Sequence, residues 1–361
     1  MTAPAHARIR LTPIRDPAAL EAEWRALEAI ADASFFQSWT WVGCLAAERF
    51  PDPWLLRAEG ADGTTLGLAL LNRRGGRLWL NESGDPALDA AYVEHNGVLL
   101  ARTATGLLAD CLGALLGGSR RPLVLSGVAP AMADAVRAAG GIVRVRRENL
   151  APFADLAAAG GTAAGYLATL SANTRQQLRR SDRSFAPVTV RAAGTVAEAW
   201  AFLDALAALH QATWTARGRP GAFAEPQFRR FHRALLARAV PRGEAMLLHV
   251  QGAAGTIGYL YNFRWRGRML AYQSGFDYAA SGRHGKPGLT CHHAAIGAAL
   301  AAGDAVYDFL AGADRYKTSL GGGMARMVWL EAAAARSLAG LRLHLGGAAA
   351  RLRRFIPGLV Y

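Results

Sequence analysis

One sequence pattern occurs twice in this chain, and both copies predict the same local structure. When Gly67 is aligned with Gly258, the segment GLALLNRRGGRLWLNESGD lies over GYLYNFRWRGRMLAYQSGF at a constant shift of 191 positions. Glycine and arginine recur at the centre of both segments, and Ser-Gly recurs near the end of both. Extended residues around a Gly/Arg turn are typical of a β-hairpin. The repeat therefore predicts that one structural unit is present in two copies.

Similar elements flank the two hairpins. Residues 39–50 and 227–240 precede them with apolar positions at helical spacing. Residues 106–116 and 289–300 follow as Ala/Leu-rich helices, and each runs on to a short strand. We therefore predict an α/β (α+β) fold of two tandem domains, each a mixed, largely antiparallel sheet flanked by helices. The predicted parts are a first domain at 1–160, a second at 161–335 that begins with linking helices in 163–217, and a basic helical tail at 336–361.

The linking helices are predicted from residue pattern alone. A helix over Ala163–Ala186 follows Gly160-Gly161 and carries the basic run RQQLRRSDR at 175–183. A second helix over Ala197–Arg217 ends before Gly-Arg-Pro-Gly, which terminates helices because glycine accepts a left-handed cap and proline cannot continue the helix.

Only the second copy continues into a turn suited to phosphate. An extended run, Arg268–Asp277, leads through RHGKPGLT at 283–290 into the small-residue helix Cys291–Gly303. The N-terminus of a helix presents unpaired backbone N–H groups whose partial positive charge favours phosphate. The P-loop and dinucleotide-binding patterns are both missing from the sequence, and a glycine-rich turn without a ligand is the alternative. Since the first copy lacks this turn, we interpret the first domain as a degenerate, supporting copy.

Composition narrows the function classes. The 41 basic and 27 acidic residues give a net charge of +14, which attracts anions such as coenzyme A, tRNA or an anionic membrane surface. No apolar stretch approaches the roughly 20 residues of a membrane span, and no signal-peptide pattern is present at the N-terminus. Three cysteines without metal-ligand spacing fit a reducing compartment. We therefore expect a cytoplasmic protein with no membrane span and no metal site.

Five motifs together resemble a known family. They are FQSWTWVGCL, LSANTRQQLRR, HQATWTARGRPGAF, YQSGFD and YDFLAGADRYKTSLG, in this order along the chain. This set is similar to the CelD-type acetyltransferases, which are double-GNAT proteins related in fold to the Fem-type aminoacyltransferases and often associated with exopolysaccharide production. Many relatives have Ser-Pro-Gly where this chain has Lys286-Pro287-Gly288. The resemblance implies an acyltransferase that uses acetyl-CoA or another acyl-CoA, with an amine as the usual acceptor.

The resemblance also implies where the donor binds. In GNAT enzymes the pyrophosphate of coenzyme A lies on an Arg/Gln-x-x-Gly-x-Gly/Ala turn, and a backbone N–H on the preceding strand holds the thioester carbonyl. The matching residues here are Gln273, Ser274 and Gly275 on the strand, followed by Arg283, His284, Gly285, Lys286, Pro287, Gly288, Leu289 and Thr290 in the turn and the helix start. Gly275 either admits the ligand or marks a bulge or turn.

Three residues are candidates for the chemistry. Tyr316 follows the strand AVYDFLAG, where GNAT folds often place a tyrosine near the sulfur, and a phenol can protonate a departing thiolate. Lys317 either holds the acyl carbonyl or a phosphate, or is a surface lysine. Asp308 lies in an apolar strand, so it either pairs with Lys317 or Arg315, anchors the substrate amine, or acts as a base.

The acceptor site is predicted on another helix. His210, Trp214 and Arg217 are spaced at i, i+4 and i+7, which places them on one helix face. An aromatic ring and two polar donors suit an acceptor pocket, and a helix end with tryptophan in the core is the alternative. His292 and His293 point about 100° apart on a helix, which disfavours a shared metal ion.

Three functions are consistent with the sequence. The leading one is a coenzyme-A-dependent N-acyltransferase acting on a small amine or amino sugar. The second is a Fem-type transferase with aminoacyl-tRNA as donor, which the net charge and the basic run at 175–183 favour. The third is a non-catalytic partner protein in polysaccharide biosynthesis.

Overall fold

A computed structural model of the chain describes residues 7–14, 16–89, 93–119, 121–279, 282, 284–312 and 314–345. The described residues form two compact units, one from residues up to 148 together with those from 326 onward, the other from 149–325. These units differ from the predicted boundaries at 160 and 335. The reason is that strands β7 (Gly141–Asp155) and β13 (Gly323–Ala334) each contain a boundary, so the chain returns to the first unit before the predicted tail.

The first unit combines four named helices with six strands of its own and part of β7 and β13. Its helices are α1 (Pro17–Ile30), α2 (Trp39–Arg49), α3 (Leu108–Ser119) and α4 (Ala131–Ala138), with 3-10 turns at Phe35–Gln37 and Arg102–Leu107 and a further helix at 338–345. Its strands are β1 (Arg8–Pro13), β2 (Pro53–Glu59), β3 (Thr65–Arg74), β4 (Arg77–Leu80), β5 (Leu99–Leu100) and β6 (Leu123–Val128). The sheet order is β1-β2-β3-β4-β6-β13, with β5 beside β3.

The described residues of the second unit form six helices. They are α5 (Ala163–Thr169), α6 (Ala172–Phe185), α7 (Val196–Ala216), α8 (Pro226–Ala239), α9 (Pro287–Ala301) and α10 (Arg315–Leu320), with a 3-10 turn at Ala222–Ala224. Its own strands are β8 (Thr189–Ala192), β9 (Ala245–Gly252), β10 (Gly255–Trp265), β11 (Arg268–Phe276) and β12 (Val306–Asp308). The sheet order is β7-β12-β11-β10-β9-β8.

The repeat seen in the sequence recurs in the topology. In the first unit α2 precedes the antiparallel strands β3 and β4, and α3 then leads to β6, which pairs parallel to β4. In the second unit α8 precedes the β10–β11 hairpin, and α9 leads to β12, which pairs parallel to β11. The mixed sheets flanked by helices are as predicted, and each has one parallel pair among antiparallel ones.

The linking helices are partly as predicted. α7 begins at the Thr195 N-cap and ends at Arg217, before Gly218 in the left-handed region at φ 68°, as the glycine predicted. The single helix expected over 163–186 is instead two, α5 and α6. The break lies at Leu170 and Ser171, where extended backbone lets the Ser171 hydroxyl accept the Thr174 N–H at 3.1 Å and cap α6.

Candidate functional site

The two parallel strands of the second unit separate where a ligand could enter. β11 and β12 pair over three residues each, from Arg268 with Val306 to Leu270 with Asp308. Beyond Leu270, no residue of β11 pairs with β12 in the described part of the chain. Parallel strands end at the same edge of a sheet, so α9 and α10 both begin at the carboxyl ends of this pair. Open α/β sheets bind their ligands at this edge. The candidate site is therefore the opening between β11 and β12.

The phosphate turn is fixed to the basic helix α6. The Ser181 hydroxyl accepts the Lys286 backbone N–H at 2.9 Å and lies 2.8 Å from the Thr290 hydroxyl. Thr290 donates to Asp182, whose other oxygen lies 2.8 Å from His293 Nδ1. These contacts place the arginine-rich helix α6 beside the start of α9.

The residues of the turn differ in their exposure. Lys286 is exposed and its ammonium donates to the Gln177 side chain at 2.7 Å, and His284 is exposed as well. Pro287, Leu289 and Thr290 are buried in the base of α9. A Cβ on Gly285 would lie 2.8 Å from the Phe185 ring, and one on Gly288 would lie 3.1 Å from the Phe276 ring. A side chain at position 285 therefore requires the Phe185 ring to move, whereas one at position 288 requires the Phe276 ring to shift by only a few tenths of an ångström. The predicted ligand Arg283 lies outside the described residues.

The strand residues have structural partners. Ser274 offers its backbone carbonyl to His210, and Gln273 pairs with Tyr261 of β10. A Cβ on Gly275 would lie 2.3 Å from the Leu206 carbonyl oxygen of α7. Close packing of α7 on β11 therefore explains this glycine without a ligand. A bulge does occur in this hairpin, at Tyr272 of β11, which lies opposite the step from Tyr261 to Asn262.

A buried histidine lies beside the predicted acid. The His292 ring is 2% exposed and stacks on the Tyr316 ring at 5.1 Å between centroids. Its Nδ1 lies 2.9 Å from the Tyr307 hydroxyl, while its Nε2 is buried and has no hydrogen-bond partner among the described residues. Burial, with a smaller contribution from Lys317, lowers the pKa of His292 to about 3, so the ring is neutral at physiological pH. The sequence indicated no role for His292, since its spacing with His293 disfavours a shared metal ion.

Tyr316 itself is partly buried in the first turn of α10. Burial, with the nearby Asp314 and Tyr278, raises the pKa of its phenol above the usual value, so it stays protonated at neutral pH. Rings of Phe276 and Phe309 also contact His292, at 5.9 and 5.4 Å. Aromatic groups from β11, α9 and α10 thus converge at one edge of the sheet.

Asp308 and Lys317 support the backbone around the site. Asp308 is fully buried, and its carboxylate accepts from Arg268 at 3.2 Å and from the Leu310 N–H at 2.8 Å. Arg268 is therefore an ion-pair partner of Asp308 that the sequence did not suggest. Lys317 donates to the Ala311 carbonyl at 3.0 Å. These two residues fix the segment between β12 and α10, which carries left-handed backbone at Leu310 and Gly312.

The predicted acceptor helix contributes a second buried histidine. A carbonyl oxygen only accepts, so His210 Nδ1 carries the proton that it donates to the Ser274 carbonyl at 3.0 Å. Its Nε2 is therefore unprotonated, and it is buried with no hydrogen-bond partner among the described residues. Burial lowers the pKa of His210. Trp214 lies 5.8 Å from the His210 ring, and Arg217 lies over Trp214 at 5.8 Å.

The end of α7 and the phenol of Tyr316 are electrostatically connected through Tyr278. Burial raises the pKa of Tyr278, Arg217 lowers it, and Asp314 raises it. Tyr278 and Asp314 in turn raise the pKa of Tyr316. The end of α7 and the start of α10 therefore approach the same residue just beyond β11. The described residues contain no group of three side chains able to hold a metal ion.

Comparison with known proteins agrees with this geometry. Residues 172–318 match the family described as "Acetyltransferase (GNAT) domain". No curated protein matches the chain in a sequence comparison. FemX is similar in structure, with a TM-score of 0.62 at 10% identity over 93% of this chain and 99% of its own. L-PGS from Bacillus licheniformis is similar too, with a TM-score of 0.55 at 12% identity over 91% of this chain and 95% of its own.

The family match establishes the coarse class. The chain carries a GNAT acyltransferase domain, and the similarity to FemX extends over both units and concerns the fold. None of the described helices is long and apolar enough to cross a membrane.

Proposed function

We propose that this protein is an acyl-CoA-dependent N-acyltransferase of the CelD type, an acetyltransferase that acts in the cytoplasm on a small amine or amino sugar. The observation that carries the proposal is the convergence at the edge where β11 and β12 separate. The N-terminus of α9, a protonated tyrosine and a neutral histidine with an unprotonated Nε2 all lie there. Cys44, Cys111 and Cys291 are buried thiols that form no disulfide among the described residues, which suits a reducing compartment.

The start of α9 suits the pyrophosphate of the donor. Among the described residues at this point, Gly288 supplies the backbone N–H left for a ligand, because Pro287 has none, Lys286 donates to Ser181, and Leu289 and Thr290 donate to the Lys286 carbonyl. The partial positive charge at the helix N-terminus also attracts phosphate. Lys286 adds a positive charge at this point, and α6 adds exposed Arg179, Arg180 and Arg183 nearby. The acyl end of the donor would then lie along Gln273, Ser274 and Gly275 toward Tyr316.

His210 suits the role of base toward the acceptor. Its Nε2 has a free lone pair, and its Nδ1–H is fixed by the Ser274 carbonyl, which holds the ring in one orientation. In the proposed reaction the acceptor nitrogen attacks the thioester carbonyl carbon and its proton passes to Nε2. Trp214 and Arg217 lie on the same helix end and would contact the rest of the acceptor.

Tyr316 suits the role of acid. As the carbon–sulfur bond breaks, the phenol gives its proton to the thiolate, and coenzyme A leaves as the thiol. His292 stacks on the Tyr316 ring and would position it, because a buried neutral imidazole holds the ring without adding a charge. In this proposal Asp308 and Lys317 do not contact the reacting atoms. They fix the backbone at Leu310 and Ala311, which precedes the helix that carries Tyr316.

Aminoacyl-tRNA is the alternative donor, and one observation favours it. The basic helix α6 is bonded to the start of α9, so arginines and the phosphate turn form one positive surface. Arg175, which the sequence grouped with this cluster, instead donates to the Leu170 carbonyl at the α5–α6 junction. Arg179, Arg180 and Arg183 are the exposed members that a polyanion would meet.

Calorimetric titration with acetyl-CoA and with charged tRNA separates the two donors. Gly288→Asp places a negative charge at the start of α9, and Gly297→Asp places the same charge on the same helix with no heavy atom within 4 Å of the new Cβ. Dipole and hydrogen-bond losses of about 2–4 kcal/mol predict a weakening of coenzyme A binding of at least tenfold for Gly288→Asp only. Equal affinity in both folded variants would contradict the phosphate site.

The salt dependence of binding tests whether tRNA is the donor. If α6 binds tRNA, affinity falls steeply with salt, by about 0.7–0.9 in the log–log slope for each neutralised phosphate. Replacing Arg179, Arg180 and Arg183 with alanine would then abolish transfer. If coenzyme A is the donor, we expect acyl-CoA turnover of that triple variant to stay within about tenfold of wild type, since charge-assisted contacts of exposed side chains are weak.

A further inference from the structure

The first unit contains a cavity lined by arginine. Its residues belong to other parts of the sequence than those of the candidate active site. Its volume is about 560 Å³, and its walls come from the turn before β4, from β7 and β13, and from the helix 338–345. Four arginines line it, namely Arg77, Arg144, Arg146 and Arg342. The proposed acyl transfer uses none of them.

The charge in this cavity is not balanced. Glu331 is the acidic residue in its lining, and its carboxylate lies 2.9 Å from Arg146 and 3.5 Å from Arg77. Arg144 and Arg342 have no carboxylate partner among the described residues. Four guanidinium groups therefore face one carboxylate. Guanidinium binds phosphate in a planar, two-point geometry, so the cavity suits a phosphate group.

Exposed leucines lie beside the arginines. In the helix 338–345, Leu338, Leu341 and Leu345 are 78%, 53% and 59% exposed, whereas Leu343 is 8% exposed. The exposed three are spaced by three and four residues, so they share one face of the helix. Leu338 also lines the cavity. The sequence continues to RLRRFI at 351–356, which adds basic and apolar residues.

We propose that this surface, formed by the arginine cavity and the leucine face of the helix 338–345, binds an anionic membrane surface. A lipid phosphate enters the cavity and the leucines contact the acyl region, as in amphipathic helices that lie in the membrane interface. A nucleic acid would use the arginines but leave three leucines in water, so the leucines favour lipid. The proposal does not depend on which donor the acyltransferase domain uses.

Co-sedimentation of the full chain with vesicles tests this surface. We expect binding to vesicles of phosphatidylcholine mixed with phosphatidylglycerol, little binding to phosphatidylcholine alone, and weaker binding as salt is raised. Arg144→Ala with Arg342→Ala should weaken binding by about fivefold per arginine. Leu341→Ser with Leu345→Ser should weaken it by at least tenfold. Arg191→Ala with Arg233→Ala removes the same charge from exposed ion pairs elsewhere and should change binding little.

Several outcomes would overturn the proposal. Equal binding to the two vesicle types would exclude recognition of anionic lipid by the arginines, and binding that the leucine variant leaves intact would exclude insertion of the leucines. If only the arginine variant loses vesicle binding, and duplex DNA competes with the vesicles for the wild-type chain, the surface binds nucleic acid instead. Concentration-dependent dimers that the leucine variant abolishes, without vesicle binding, would assign the face to a second copy of the chain. All variants are compared at equal helical content, measured by circular dichroism.

Discussion

Gly275→Ala tests how tightly the acceptor helix is packed on the strand that carries the site. The new Cβ would lie 2.3 Å from the Leu206 carbonyl oxygen and 3.1 Å from the Leu206 carbonyl carbon and Cα. These are main-chain atoms in the middle of α7, so no side-chain rotation relieves the contact. α7 and β11 must separate until the contact reaches at least about 3.0 Å.

The separation has an energetic and a functional consequence. Extra atoms in a packed interior cost about 1–3 kcal/mol, which lowers the melting temperature by about 2–4 °C per kcal/mol for a unit of this size. His210 lies one helical turn after Leu206, so the same shift moves Nε2 and strains its bond to Ser274. A misplacement approaching 1 Å costs about 100-fold in rate. We therefore expect both lower stability and lower kcat.

Gly297→Ala is the matched control, because its Cβ meets no heavy atom within 4 Å and the residue lies inside α9. That change should stabilise the chain by about 0.4–1 kcal/mol. Stability is measured by calorimetry, and transfer is measured by detecting the released thiol of coenzyme A. The packing argument is refuted if Gly275→Ala melts at the wild-type temperature, or if both variants lose stability equally.

Three other substitutions address the site. Tyr316→Phe removes the phenol proton but keeps the ring, so kcat should fall by about 10²–10⁴-fold while the affinity for coenzyme A stays unchanged. A decrease in kcat of less than about threefold would indicate that solvent, and not Tyr316, is the acid. His210→Gln removes the base, so kcat should fall and the wild-type loss of activity on acidification should disappear; retention of that acidic limb would assign it to another group. His292→Gln should change the pH dependence of stability. In the folded chain the pKa of His292 is about 3, below its ordinary value of 6.5. As the pH falls below about 6.5, this histidine therefore takes up a proton only in the unfolded chain. Wild type should therefore lose about 2 kcal/mol between pH 7 and pH 5 that the variant keeps. The exposed His284→Gln is its control, and equal losses in wild type and His292→Gln would refute the assignment.

The sequence alone determined the order of elements and the repeated unit. The hairpin pattern around Arg73–Gly76 and Arg264–Gly267 was visible because strand period and turn glycines are local signals. The stop of α7 near Gly218 was visible for the same reason. The break between α5 and α6 was missed because serine is also compatible with a helix interior, and only the extended Leu170 backbone shows that Ser171 caps α6.

Tertiary structure decided which chemical groups share the site. Sequence spacing put His210 and Trp214 on one face, but the bond to Ser274 that leaves His210 Nε2 unprotonated joins residues 64 positions apart. His292 and Tyr316 stack across a strand and a turn, and Asp308 finds Arg268 on the neighbouring strand, which local pattern does not encode. Burial, hydrogen-bond partners and hence protonation depend on which segments pack together. The sequence gives the chemical groups and their order, whereas the protonation state of each group depends on contacts that only the fold creates.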